Sequence, residues 1–126
     1  MIRELEKKDI HACVEIVREN WDDKVAERFW DEVQHAFLRG MKWPPEYFVY
    51  EEAGEVVAFA GMMESWLMHR VMDFIWINVK KDYQGYGYGR ELTEYRIERC
   101  KKYDMRAINL MTQKPNFFEP FGFVMT

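Results

Sequence analysis

Apolar residues recur at helical spacing early in the chain. Ile10, Cys13, Val14 and Val17 share one face behind Asp9, a side chain suited to capping a helix start. Phe29, Trp30, Val33 and Phe37 make the stripe of a second helix over residues 24–38, which Gly40 stops. A short strand over 2–5 precedes both, and Met41-Lys42-Trp43-Pro44-Pro45 reads as a surface connection because two prolines cannot continue a helix. The period then shortens. Tyr47-Phe48-Val49-Tyr50 and Val56-Val57-Ala58-Phe59-Ala60 flank Glu52-Ala53-Gly54-Glu55, which predicts an antiparallel hairpin. Residues 65–70 turn the chain, with Trp66, Leu67, Met68 and His69 exposed on the loop, into a strand over Phe74-Ile75-Trp76-Ile77-Asn78-Val79. Leu92, Ile97 and Cys100 mark the buried side of a helix over 91–103. Arg96 falls in the same stripe, so its stem should snorkel outward or its guanidinium face a ligand. Ala107-Ile108-Asn109-Leu110-Met111 is a further strand. Pro115 to Glu119 form a helical turn that Pro120 breaks, and a last strand begins at Gly122.

Composition narrows the class. At 126 residues, 48% hydrophobic and 32% charged, the chain reads as a single soluble domain over 1–126. Aromatics reach 17%, so large side chains either build the core or line a groove. Twenty-two acidic residues against 18 basic ones leave a net charge of −4, which disfavours nucleic acid as a partner and suits a cationic one such as an amine. Asp22, Asp23, Glu27, Asp31 and Glu32 make the second helix acidic on its other side, either a solvated face or a rim that attracts a cation. Cys13 lies on an apolar stripe and reads as core. With Cys100 it is too little for a disulfide framework or a zinc ligand set, so no metal is expected and a reducing cytoplasm is. No stretch has membrane-spanning length, and no membrane partner is expected.

The chemistry concentrates in Asp82-Tyr83-Gln84-Gly85-Tyr86-Gly87-Tyr88-Gly89-Arg90. Three of seven glycines alternate here between a strand and a helix, which offers backbone N–H groups to an anion. The dinucleotide pattern G-x-G-x-x-G fails, because its third glycine falls on Arg90 or Leu92. The P-loop fails for want of a following Lys-Ser or Lys-Thr. Q-x-x-G-x-G fits, as Gln84, Gly87 and Gly89. With the stretch from Ile77-Asn78-Val79 to Leu92, and with Phe117-Phe118-Glu119-Pro120-Phe121-Gly122-Phe123 near the end, the chain resembles the GNAT acyl-CoA N-acyltransferase superfamily along nearly its whole length.

That resemblance implies an α/β (α+β) fold: a mixed, mostly antiparallel central sheet flanked by helices, with a shortened C-terminal end. It implies acetyl-CoA as cosubstrate and an amine as acceptor, small molecule or protein. The pyrophosphate would lie on the amides from Gly85 to Arg90, with Gln84, Tyr86, Gly87, Tyr88 and Gly89 around it and Asn116 and Phe118 beside the cofactor. Backbone groups of Ile77 and Val79 would hold the pantetheine arm, and the Val79 N–H would polarise the thioester carbonyl. Asp73, eleven residues before Gln84, stands where some members carry a glutamate base; Glu64 and His69 are weaker candidates. Two features depart from the family. Phe118 occupies the usual position of a tyrosine acid, which opens the alternative of a non-catalytic acyl-CoA-binding or protein-interaction module. Little chain follows Gly122 where members continue through further strands, an arrangement that a homodimer would complete.

Overall fold

The computed structural model describes residues 1–41 and 43–125. Lys42, in the expected 41–45 connection, and Thr126 lie outside the described residues. Five strands form one sheet in the order β1 (Ile2–Glu4), β2 (Glu46–Glu52), β3 (Glu55–Glu64), β4 (Val71–Val79) and β5 (Ala107–Leu110). All neighbours are antiparallel except β4 and β5. The β2–β3 turn uses Ala53 and Gly54, both left-handed at φ 49° and 81°, which matches the twist of the strands it joins.

Alternation along the strands divides the core in two. Tyr47, Val49 and Phe59 face helices α1 (Ile10–Asn20) and α2 (Asp23–Val33), where they meet Cys13, Val17, Phe29 and Val33. Phe48, Ala58, Ala60, Met62 and Phe74 face the other way, onto Leu92 and Cys100 of α3 (Tyr88–Lys102). Phe29 anchors the first layer, with ring centroids 4.8 Å from Phe59 and 5.1 Å from Trp76. A short helix, α4 (Pro115–Phe118), follows β5.

The expected element order holds, with four local differences. Asp9 does not cap α1. It is buried, Arg3 donates to both its carboxylate oxygens at 2.7 and 3.0 Å, and the Glu6 N–H donates to it at 2.8 Å, so its side chain ties β1 to the turn before the helix. The second helix is capped by Asp22, which accepts from the Val25 N–H at 2.8 Å, and it tightens to a 3-10 turn at Gln34–Phe37. No strand forms from Gly122. Phe123 instead turns inward against Phe74 and Phe118, leaving Val124 and Met125 exposed with no ladder among the described residues. Finally, Arg96 neither snorkels nor faces a cleft; it is 1% exposed within the α3 layer. No helix of the described residues is long and apolar enough to cross a membrane.

Candidate functional site

Strand β4 outruns its neighbour. The β4–β5 pairing ends at Phe74 and Leu110, so residues 75–79 present an edge that β5 does not cover. A bulge lies at the start of this stretch: the β3–β4 register shifts between Phe59 and Gly61, and Trp76 is left-handed at φ 51°, an unusual conformation for a bulky residue. The Lys80 N–H donates to Val57 on β3, so strand alternation turns the N–H groups of Val79 and Ile77 to the uncovered side. The Val79 carbonyl is already engaged, accepting from Asn20 Nδ2 at 2.9 Å and Gln84 Nε2 at 3.0 Å.

The glycine turn sits at the end of this edge. Gly85 and Gly87 take φ of 86° and 90° with open space where a Cβ would point, so the backbone conformation, not crowding, requires glycine there. Gly89 differs, since a Cβ on it would come within 3.3 Å of the Phe117 ring and 3.6 Å of Val79. Gly87 is the N-cap of α3 and no side chain among the described residues caps the helix, which leaves its first N–H groups without side-chain acceptors there at the positive end of a fifteen-residue dipole. Exposed Arg90 and Lys81 flank the turn. Tyr86 is 73% exposed, whereas Tyr88 packs its ring 4.6 Å from Tyr50 and donates to Glu52 at 3.3 Å. The Glu55 carboxylate raises the Tyr83 phenol above its ordinary value, and burial with Glu52 raises that of Tyr88, so both remain O–H donors at neutral pH.

Asn20 and Trp21 join Asn78 at this corner, and the sequence alone gives neither of the two a role. Asn20 Nδ2 and Trp21 Nε1 donate to Asn78 Oδ1 at 3.1 and 3.2 Å, fastening the end of α1 to the end of β4. The partners are nearly sixty residues apart, so no local spacing signals them.

Asp73 is half-buried in β4 opposite Asn109 of β5, whose Nδ2 lies 3.5 Å from its Oδ1. It stands six residues before Val79 and four before Ile77, at most about 20 Å and 13 Å along a strand that the bulge at Trp76 shortens. Glu64 ends β3 and pairs with Met72; His69 is exposed on the β3–β4 loop, its carbonyl bonded to Arg106 Nε at 2.8 Å. Phe118 is buried, edge-on to Phe117 and Phe123, and Asn116 is exposed on α4. Among the described residues no group of three or more His, Cys, Asp or Glu converges as a metal site.

A family model described as the acetyltransferase (GNAT) family matches residues 10–123. No curated protein matches the chain. Solved structures resemble it over its whole length. A candidate acetyltransferase of the GNAT family from Desulfovibrio desulfuricans superposes with a TM-score of 0.88 at 16% identity, with 85% of that chain covered. A transcriptional regulator from Bacillus halodurans C-125 gives 0.80 at 19% and 93% coverage. The PaiA N-acetyltransferase from Thermoplasma acidophilum, in complex with coenzyme A, gives 0.79 at 14% and 90% coverage. At these identities the likeness shows the fold.

Proposed function

Since the chain belongs to the acetyltransferase (GNAT) family, we propose that it transfers the acetyl group of acetyl-CoA to the amine of a small molecule or a protein. The observation that carries this reading is one continuous surface, in which the uncovered edge of β4 leads into the turn where Gly85 and Gly87 open the start of α3. The pyrophosphate sits on the amides from Gly85 to Arg90, with the α3 dipole favouring its charge. Gln84 does not need to touch it; through Val79 and Asn20 it holds the turn against β4 and α1. Tyr86 is free to lie on the ligand, while Tyr88 supports the turn from below.

Along β4 the N–H groups of Ile77 and Val79 serve different parts of the same molecule. Ile77, nearer to Asp73, donates to the thioester carbonyl, and Val79 donates to the pantetheine arm; this division replaces the expectation that Val79 does both. Asp73 takes the proton of the incoming ammonium, directly or through water, since an amine of pKa near ~10.4 is largely protonated at neutral pH. The amine nitrogen then bonds to the carbonyl carbon and gives up its second proton to water, the C–S bond breaks, and its electron pair leaves with coenzyme A. Phe118 has no proton to give, so water or another group protonates the thiolate. Phe118 also supports a second reading, a protein that binds acyl-CoA without turning it over.

Calorimetry with acetyl-CoA tests both readings: saturable binding is expected, and its absence removes them together. Thiol release across an amine panel then separates them, because an enzyme releases coenzyme A with at least one amine and a binder with none. The outer edge of β5, which pairs with no strand among the described residues, supports a homodimer in solution, and a concentration-independent monomer mass by light scattering would remove that part.

A further inference from the structure

Arg96 is an anomaly in an otherwise apolar layer. It is 1% exposed, and no carboxylate pairs with it among the described residues. Burial pulls it down to about 9, which still leaves it charged at neutral pH. A buried charge without a counter-ion is costly, and a methionine of similar length would fill the same space without that cost. What the guanidinium does that an apolar side chain cannot is donate. Nη1 donates to the Gly61 carbonyl at 2.9 Å, Nε to the Leu92 carbonyl at 3.3 Å and Nη2 to Thr93 Oγ1 at 3.4 Å, while the guanidinium lies 4.1 Å above the Phe74 ring.

These partners lie around the bulge and the first turn of α3. Gly61 is the residue on β3 at which the register recovers after the bulge, and it pairs with Ile75, just before left-handed Trp76. Its other face is closed by the Tyr47 ring, so close that a Cβ would lie 2.7 Å from it. Phe74 is the last β4 residue that pairs with β5. Thr93 Oγ1 donates in turn to the Gly89 carbonyl at 2.8 Å, in the first turn of α3. The guanidinium thus touches the strand before the bulge, the end of the β4–β5 pairing and, through Thr93, the glycine turn. We infer that Arg96 is a positioning residue: from inside the core it fixes the β4 bulge, and so the angle at which Ile77 and Val79 meet the pantetheine arm. This inference rests on the proposed use of acyl-CoA.

The test measures two halves of the ligand separately. Calorimetry is run with coenzyme A and with 3′-phosphorylated ADP, which lacks the pantetheine arm, on the intact protein and on Arg96→Met, Arg96→Lys and Cys100→Ala. The last variant removes a buried side chain one turn further along α3 that has no bond to Gly61. Arg96→Met is expected to weaken coenzyme A at least tenfold and the nucleotide less than twofold. Arg96→Lys, which keeps one donor for Gly61, should fall between, and Cys100→Ala should change neither. A folded Arg96→Met or Arg96→Lys that binds coenzyme A like the parent, or loses both halves equally, overturns the inference. Amide hydrogen exchange at Ile75 and Asn78, which flank the bulge and pair with Gly61 and Phe59 of β3, gives a readout without ligand, expected to quicken at least tenfold in Arg96→Lys but not in Cys100→Ala. Unchanged exchange overturns the inference, whereas a parent protein that binds no coenzyme A overturns the proposed function instead.

Discussion

Asp73 sits where β4 still pairs with β5, two residues before the uncovered edge begins, and its neighbour Asn109 supplies a neutral amide at 3.5 Å instead of a second charge. Asp73→Asn keeps the shape and removes the proposed proton acceptor. It should lower kcat on the order of 10²-fold at neutral pH, with the loss shrinking as pH rises and more of the amine is already deprotonated. A pH–rate profile unchanged from the parent would exclude Asp73 as base. Asp9 carries a different expectation. Burial alone would raise its carboxyl, but the bonds from Arg3 and the Glu6 N–H outweigh that and hold it below its ordinary value. A carboxyl depressed in the folded state stabilises above its unfolded pKa, near ~3.9, and loses that contribution as pH falls through its folded value. Asp9→Asn should therefore cost about 1–3 kcal/mol at pH 7 by thermal melting, with the gap to the parent closing as pH falls through the depressed value of the folded carboxyl. The sequence placed both residues but misread Asp9 as a cap, because a carboxylate ahead of an apolar stripe looks the same whether it bonds the helix or an arginine six positions earlier.

At the scale of elements, the turn and α3 act as one piece. Glutamate at Gly87 would force a side chain into a φ of 90° and set a negative charge at the helix start, costing about 1–3 kcal/mol of stability and opposing any phosphate there. Calorimetry should show coenzyme A binding lost in Gly87→Glu while circular dichroism retains the helix. The alternating glycines made this turn legible, as did the β-branched and aromatic run before it. The bulge was not legible: Trp76 has no local reason to be left-handed, and the contacts opposite it, Gly61 closed against Tyr47 and bonded by Arg96, come from distant parts of the sequence. The residues after Gly122 were misread for a related reason, since an apolar run has strand character only if an edge receives it, and Phe123 packs against Phe74 instead.

For the molecule as a whole, ligand binding and stability are linked. Acetyl-CoA at one hundred times its Kd should add about 2.7 kcal/mol to the folded state and raise Tm on the order of 10 °C, read by scanning calorimetry. An unchanged Tm at saturating ligand would contradict the proposed function. The sheet that carries the candidate site also separates the two cysteines, Cys13 in the α1 and α2 layer and Cys100 on the buried side of α3. Burial raises both thiols, that of Cys100 to about 11, so neither reacts until its own layer opens. Each cysteine is thus a built-in clock for one face of the sheet: alkylation followed by mass spectrometry would time the opening of the two layers separately, and a ligand seated on β4 and α3 should slow the Cys100 clock more than the other.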